Sequence, residues 1–142
     1  PYWNANARGV LSGITRNTGP KEIIRATIES VAYQTNDLFD AIKQDGLRPK
    51  LVKVDGGMVM NNWFSQYLAD IINIKVLRPK VYETTALGAA FMAGLQVGVY
   101  KSLKQISKQW KLDKKFKPKV NNKFRKKVLA DWNKAVKRTL IT

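Results

Sequence analysis

Two adjacent glycines that follow a short strand are the residues of this sequence best suited to chemistry. Residues 51–54 form an apolar, β-branched run; Gly56 and Gly57 follow it, and an amphipathic stretch begins at Trp63. The first N–H groups of a helix have no intrahelical partner and lie at the positive end of the helix dipole. Because glycine has no Cβ, a ligand can approach its backbone closely. The pattern therefore predicts a site for a nucleotide or a phosphate group.

Asn61 supports the same interpretation, because an amide one turn inside a helix can reach a base or a ribose. Each residue also has an alternative role: the glycine pair can serve a tight turn with positive φ, and the Asn61 side chain can bond to the helix backbone. Asp55 follows the strand, where catalytic acids often lie, but no second carboxylate stands at a useful spacing. We expect Asp55 to accept a hydrogen bond in the turn rather than to act as a base.

The composition excludes several classes of site. The 142 residues include no cysteine and no histidine, which removes disulfides, Cys/His zinc sites, thiol catalysis and Ser-His-Asp triads. The apolar content of 44% is that of an ordinary globular domain with a real core. Neither a signal-peptide pattern nor a long uncharged apolar run is present, so we expect a cytoplasmic protein without membrane spans. Because the chain begins with Pro1 rather than Met, we expect a segment of a longer protein.

Alternating strands and helices must position the glycine pair. We predict strands over residues 9–14, 51–54 and 74–77. We predict helices over residues 20–43, 63–72 and 86–97. Gly19 and Thr84 are the expected caps of the first and last helix. The last helix is rich in alanine and glycine, so we expect it to pack tightly against the sheet. The order indicates an α/β fold with a sheet covered by helices.

Two of these helices carry apolar residues at helical spacing, which predicts one buried face on each. In the first helix the apolar positions are Ile24, Ile28, Val31, Leu38 and Ile42. In the second they are Trp63, Tyr67, Leu68 and Ile71.

Residues 101–142 form a strongly basic tail. The tail holds 15 of the 26 Lys and Arg residues and 2 of the 10 Asp and Glu residues, so it accounts for +13 of the net charge of +16. This charge and the aromatic residues of the tail raise a nucleic-acid hypothesis. We favour core packing instead, because the apolar positions recur at helical spacing and predict an amphipathic helix with a basic back. The residues of that face are Phe124, Val128, Trp132 and Val136.

Several separate motifs, in order along the chain, resemble the FGGY family of carbohydrate kinases. They are Pro1-Tyr2-Trp3, Ala7-Arg8-Gly9, the stretches over residues 9–16 and 22–35, Val54-Asp55-Gly56-Gly57 with Asn61-Asn62, and Glu83-Thr84-Thr85-Ala86-Leu87-Gly88-Ala89-Ala90. The resemblance covers residues 1–100 strongly and the tail weakly. Several motifs in the family order are more specific than one glycine-rich match.

The resemblance implies a fold, an activity and an ATP site. The family has two actin-like, ribonuclease-H-like domains, and this chain resembles the later portion of the second, nucleotide-holding one. Residues 1–100 would be the nucleotide side, and residues 101–142 a basic helical tail packed on the same domain. The implied reaction is ATP-dependent phosphorylation of glycerol, or of another sugar or polyol. Gly57 and Asn61 would contact ATP, and Gly56 would shape the turn.

The resemblance also places much of the enzyme outside this chain. Glycerol-binding and catalytic residues match nothing here, and Mg²⁺ would be held mainly elsewhere, so we assign no catalytic residue and no metal ligand. The isolated chain should be inactive. Binding of ATP should survive removal of residues 101–142, and we do not expect nucleic acid as a partner. An open strand edge would favour a homo-oligomer.

Overall fold

The computed structural model describes residue 2 and residues 4–140. Pro1 and Trp3, which belong to the first motif above, and residues 141–142 lie outside the described residues. The elements run α1 (Pro20–Gln44), β1 (Leu51–Lys53), a 3₁₀ helix η1 (Gly57–Met60), α2 (Asn62–Ile72), β2 (Lys75–Pro79), α3 (Thr84–Gln96), α4 (Leu103–Ser107), β3 (Leu112–Phe116) and α5 (Asn122–Thr139). Over the described residues, every helix is too short or too polar to span a bilayer.

The strand predicted over residues 9–14 is wrong. These residues are exposed and adopt no regular structure, and Gly13 has a φ of +81°. A strand is stabilised by pairing with a neighbour, and the sheet of the described chain is formed by β1, β2 and β3. Residues 9–14 therefore have no strand to pair with among the described residues.

Local signals place both ends of α1 correctly. The Gly19 N–H donates to the Glu22 carboxylate at 2.9 Å, and Pro20 takes the first helical position, where its missing N–H costs nothing. The helix ends at Gln44, and Gly46 follows with a φ of +87°, a conformation that glycine adopts without strain.

The buried face of α1 is rotated from the predicted one. Ala32 and Phe39 are buried, whereas Ile24 and Leu38 are more than half exposed. Ile28, like Val31, packs at the edge of the core. The spacing of large apolar residues misses this face because its deepest member is the small Ala32, where α1 lies against α2.

Helix α2 forms the centre of the core. Its buried apolar residues are Phe64, Tyr67, Leu68, Ala69, Ile71 and Ile72. Helix α1 packs on one side of α2, and the strands β2 and β3 lie on the other. Trp63 was predicted to be buried but is 42% exposed. It lies in the first turn of α2, where one face of its ring stacks on Tyr67 with 5.0 Å between the ring centroids.

The sheet has the order β1-β2-β3. Strand β1 is parallel to β2, with Val52 beside Val76, and β2 is antiparallel to β3, with Val76 beside Phe116. Val76 and Phe116 are buried in the same cluster as α2, so this face of the sheet is the covered one. The sequence pattern predicted β1 and β2 but not β3.

The basic tail completes the core. Val128 and Leu129 of α5 pack against the core cluster, and β3 forms one edge of the sheet. The predicted amphipathic helix is confirmed, although Phe124 at its start is 41% exposed. Among the other tail aromatics, the Trp110 ring lies 4.2 Å from the Lys53 ammonium group, and Phe116 is buried. Packing thus accounts for Phe116 and Trp110, whereas Phe124 remains partly exposed.

Aromatic side chains join α1, α2 and α5. The Tyr33 and Tyr67 hydroxyl oxygens lie 2.5 Å apart, and burial raises the pKa of both tyrosines, which keeps the pair neutral. The Trp132 ring centroid lies 5.4 Å from that of Tyr33. The Trp132 Nε1 group donates to the Asp37 carboxylate at 2.8 Å.

The Trp132–Asp37 hydrogen bond leads to a stability prediction. Trp132→Phe keeps an aromatic ring but removes the donor, so the free energy of unfolding should fall by about 1.5–3 kcal/mol, the range for a bond to a charged group. Urea unfolding followed by circular dichroism measures it. Trp110→Phe is the matched control: its N–H donates no hydrogen bond within residues 4–140, and its loss should change stability by about 0.5 kcal/mol or less. Equal losses in the two variants would contradict the role of the bond.

Candidate functional site

The helix that begins at the two glycines is not the predicted α-helix. Gly56 has a φ of +86°, and Gly57 opens the four-residue 3₁₀ helix η1 rather than an α-helix. The α-helix α2 begins only at Asn62, because Asn61 has an extended backbone that interrupts the helical path. The prediction that the glycines lie at the tip of an α-helix is therefore wrong.

Asn61 uses its side-chain oxygen to cap α2. The Oδ1 atom accepts hydrogen bonds from the backbone N–H groups of Trp63 at 2.9 Å and Phe64 at 3.2 Å. This is the alternative role considered for Asn61, and it satisfies donors that would otherwise lack a partner. The residue is nevertheless exposed, and the described part of the chain offers no acceptor to its Nδ2 group. One end of the amide is thus occupied, and the other is available to a ligand.

The space over Gly57 is open. A Cβ built on Gly57 would meet no heavy atom within 4 Å, and its φ is not in the left-handed region. Neither packing nor backbone conformation within the described chain requires a glycine at this position. Gly56 differs, since its positive φ does favour glycine. The two glycines therefore have separate roles, one in the turn and one at an unobstructed surface.

The loop that carries the glycines is tied to the segment before α3. The Gly56 N–H donates to the Tyr82 carbonyl oxygen at 2.9 Å, and the Thr84 hydroxyl donates to the Asp55 carboxylate. The expectation that Asp55 accepts a hydrogen bond is confirmed, although the donor lies in a neighbouring loop. Thr84 was predicted to cap α3, but the cap position is Glu83, because the Thr84 hydroxyl is engaged with Asp55.

Two donors beneath the loop fix the carbonyl groups at the end of η1. The buried Arg78 of β2 donates from Nη1 to the carbonyl oxygens of Val59 at 2.9 Å and Met60 at 3.1 Å. The Ser65 hydroxyl of α2 also donates to Val59, at 2.8 Å. Sequence reasoning missed both residues, since a lone arginine at a strand end and a lone serine in a helix give no local signal.

Helix α3 stands away from the sheet. None of its residues is buried, so the prediction that its small residues pack tightly against the sheet is wrong. Tyr100, in the segment that follows α3, packs on Phe91 with 5.4 Å between the ring centroids, and a cleft of about 490 Å³ opens between α3 and the segment before β3. Its mostly apolar wall includes Thr84, Leu87, Phe91 and Trp110, and Thr84 connects it to the glycine loop through Asp55.

The described residues bring no group of three or more His, Cys, Asp or Glu side chains together. Two carboxylates that could bind a cation already accept hydrogen bonds from the protein. Asp55 accepts from Thr84, and the buried Asp70 accepts from the Lys119 N–H at 2.6 Å and from Gln66 at 3.0 Å.

A comparison with protein families decides what this architecture is. The profile of the FGGY family of carbohydrate kinases, C-terminal domain, matches residues 1–97. The chain belongs to this family. The resemblance carried by the motifs is thus confirmed, and FGGY membership accounts for the strand–glycine segment and for the Glu83–Ala90 motif together.

Curated FGGY relatives extend the similarity into the tail. The chain is 50% identical to a glycerol kinase of Ectopseudomonas mendocina over 139 residues, or 97% of the chain. It is 49% identical to glycerol kinase 1 of Pseudomonas aeruginosa over 138 residues, also 97%. Both matches span 28% of the relative, so the chain corresponds to less than a third of the proteins it matches. The tail, expected to resemble the family only weakly, is included in these matches.

Solved FGGY structures confirm the fold. The structure of Plasmodium falciparum glycerol kinase with ADP matches all of this chain and 29% of that one, with a TM-score of 0.83 at 41% identity. A xylulose kinase of Lactobacillus acidophilus matches 95% of this chain and 28% of that one, with a TM-score of 0.76 at 27% identity. The predicted α/β architecture, part of an actin-like, ribonuclease-H-like domain with a helix-covered sheet, is confirmed.

Proposed function

We propose that this chain forms part of the ATP site of a kinase that phosphorylates glycerol to glycerol 3-phosphate. The observation that carries the proposal is the unobstructed surface at Gly57 beside the available Nδ2 group of Asn61. Glycine at position 57 serves no packing need of the described chain, and a closely approaching nucleotide would account for it. The relatives that are about half identical to this chain are glycerol kinases.

The residues would divide the work of holding ATP. Gly56 shapes the turn, Gly57 lets the nucleotide approach the backbone, and the Asn61 amide donates a hydrogen bond to it. These contacts would hold the adenosine and α-phosphate end, which keeps its structure while the γ-phosphoryl group moves. They bind substrate and transition state about equally, so they lower KM without raising kcat.

The reaction would be an in-line transfer of the γ-phosphoryl group to a primary hydroxyl, in which positioning and neutralisation of phosphate charge supply most of the catalysis. Mg²⁺ supplies that neutralisation when bound. Asp55 is not assigned as the base, because its carboxylate is engaged with Thr84. The acceptor pocket, the general base and the metal ligands would lie in the part of the relatives that this chain does not match.

Glycerol is the proposed acceptor because the chain shares more of its sequence with glycerol kinases than with a kinase of another substrate. The glycerol kinases among the relatives share 41–50% of the residues, whereas the xylulose kinase of Lactobacillus acidophilus shares 27%. We also propose a cytoplasmic location, as expected from the sequence. Its oligomeric state stays a prediction, based on the free edge of β1 in the described sheet.

A chimaera tests the proposal. The chain replaces the matching segment of the Ectopseudomonas mendocina glycerol kinase, giving a protein that we name the chimaeric kinase. It should produce glycerol 3-phosphate from glycerol and ATP in a coupled assay, whereas the 142-residue chain alone should give no turnover. The parent kinase, assayed in parallel, gives the turnover with which that of the chimaeric kinase is compared. A chimaeric kinase that unfolds cooperatively but lacks activity would contradict the proposal.

A further inference from the structure

We propose that Arg78 is a positioning residue for ATP: its buried guanidinium group holds η1 in place and thereby sets the positions of Gly57 and Asn61 at the two ends of that helix. The inference rests on the proposed ATP contacts of these two residues. Arg78 itself lies beneath the loop and does not touch the open surface, so its effect on the nucleotide would pass through the backbone.

The contacts of Arg78 are directed at the loop. The residue is 6% exposed, and its Nη1 group donates to the carbonyl oxygens of both Val59 and Met60. Its Nε group donates to the Asp113 carboxylate of β3 at 2.7 Å, and its guanidinium carbon lies 5.6 Å from the centre of the Phe116 ring. One planar group thus joins the loop to two strands of the sheet.

Packing alone would hold η1 weakly. Met58 and Met60 are 49% and 47% exposed, and Val59 is the one residue of η1 that is buried. The last carbonyl groups of a helix have no intrahelical donor, so they need donors from outside. Arg78 and Ser65 supply them, and their hydrogen bonds therefore determine where the segment from Gly57 to Asn61 lies.

The geometry requires an arginine rather than any cation. The guanidinium fork directs one nitrogen to the two carbonyl oxygens and another to Asp113, and a lysine ammonium group cannot reproduce this divided geometry. Asp113 orients the fork, and its side chain is 40% exposed whereas that of Arg78 is 8% exposed. The basic tail thus contributes to the nucleotide site through β3, without touching the nucleotide.

Arg125 offers a matched control. Its guanidinium group also donates to backbone carbonyl oxygens, those of Asp70 at 2.8 Å and Val120 at 3.3 Å. These groups lie at the α2–α5 contact and not in the loop. Arg125→Lys therefore removes a comparable structural anchor without a connection to Gly57 or Asn61.

The experiment compares Arg78→Lys with Arg125→Lys in the chimaeric kinase. Arg78→Lys should raise the KM for ATP about tenfold, as expected when one or two hydrogen bonds that fix the site are lost. Its kcat and its KM for glycerol should change by less than about threefold, since the acceptor pocket is proposed to lie outside this chain. Both variants should lower Tm, whereas Arg125→Lys should leave the KM for ATP unchanged. An equal rise in that KM in both variants, or none in Arg78→Lys, would overturn the proposal.

Two further variants keep the outcome decisive. If Arg78→Lys fails to fold, Ser65→Ala removes the other donor to Val59 and should raise the KM for ATP in the same direction; an unchanged KM would then reject the positioning of η1. Gly57→Val separates this inference from the proposed function. If Gly57→Val raises the KM for ATP and Arg78→Lys does not, the positioning role alone fails. If neither does, the ATP contact itself is wrong.

Discussion

Gly57→Val in the chimaeric kinase should raise the KM for ATP by roughly ten- to a hundredfold, the equivalent of about 1.4–2.8 kcal/mol of lost binding. The valine side chain meets no atom of the described chain within 4 Å of its Cβ, so it enters the space that the nucleotide would occupy. Folding should be unaffected, and kcat should change little because the contact contributes binding rather than bond chemistry. Steady-state kinetics at saturating glycerol measures both constants.

Two companion variants make this result specific. Gly9→Val also adds a side chain in open space and without a positive φ, so it should leave the KM for ATP unchanged. Asn61→Asp keeps an oxygen for the cap of α2 but replaces the Nδ2 donor with an anionic acceptor, so it should weaken ATP binding while α2 stays intact. ATP kinetics unchanged in both Gly57→Val and Asn61→Asp would reject the assignment of this loop as a nucleotide site.

Removal of residues 112–142 should abolish cooperative folding of the chain. The truncation deprives β2 of its neighbour β3 and removes Phe116, Val128 and Leu129 from the core. Loss of a buried aromatic ring alone costs about 3–5 kcal/mol, and the packing of Val128 and Leu129 and the pairing of β2 with β3 are lost with it. Together these losses match a typical folding free energy of about 5–15 kcal/mol. Urea unfolding of residues 1–111 beside the whole chain measures the effect.

The truncation also revises an expectation drawn from the sequence. A basic tail that merely extends from the domain could be removed without loss of nucleotide binding, but β3 and α5 are parts of the core. A full-length control with exposed tail lysines changed to glutamine keeps the fold and lowers the charge; the positions are Lys123, Lys126, Lys127, Lys134 and Lys137. A cooperatively folded 1–111 chain would show that the tail is separable after all. The division of the chain at residue 100 stays a prediction.

The sequence predicted what local chemistry determines. Proline at a first helical position and a glycine after the last turn locate α1, because capping depends on a few neighbouring residues. The apolar run before Gly56 locates β1, and the requirement of Gly56 for positive φ makes the turn. Family motifs then indicated Gly57 and Asn61 as the proposed ATP contacts, which spacing alone could not separate from an ordinary turn; this assignment stays a prediction.

The remaining features depend on partners distant in the chain. The sequence of β3 is largely charged, and only Phe116 of the strand is buried. Its strand conformation therefore depends on pairing with β2, which no local pattern shows. The rotation of the α1 face follows from its contact with α2 at Ala32. Arg78 acquires its role only when β2, β3 and η1 come together. No local pattern contains these relations.

The position of β3 and α5 at the far end of the sequence has a consequence for biosynthesis. Helix α2 and strand β2 emerge from the ribosome first, yet the residues that cover Val76 and align Arg78 are translated only after residue 111. Until then the nascent chain exposes an apolar sheet edge, the kind of surface that chaperones shield. The loop proposed to bind the nucleotide is therefore expected to mature late, when β3 pairs with β2, and codon changes that slow translation between β2 and β3 should increase aggregation.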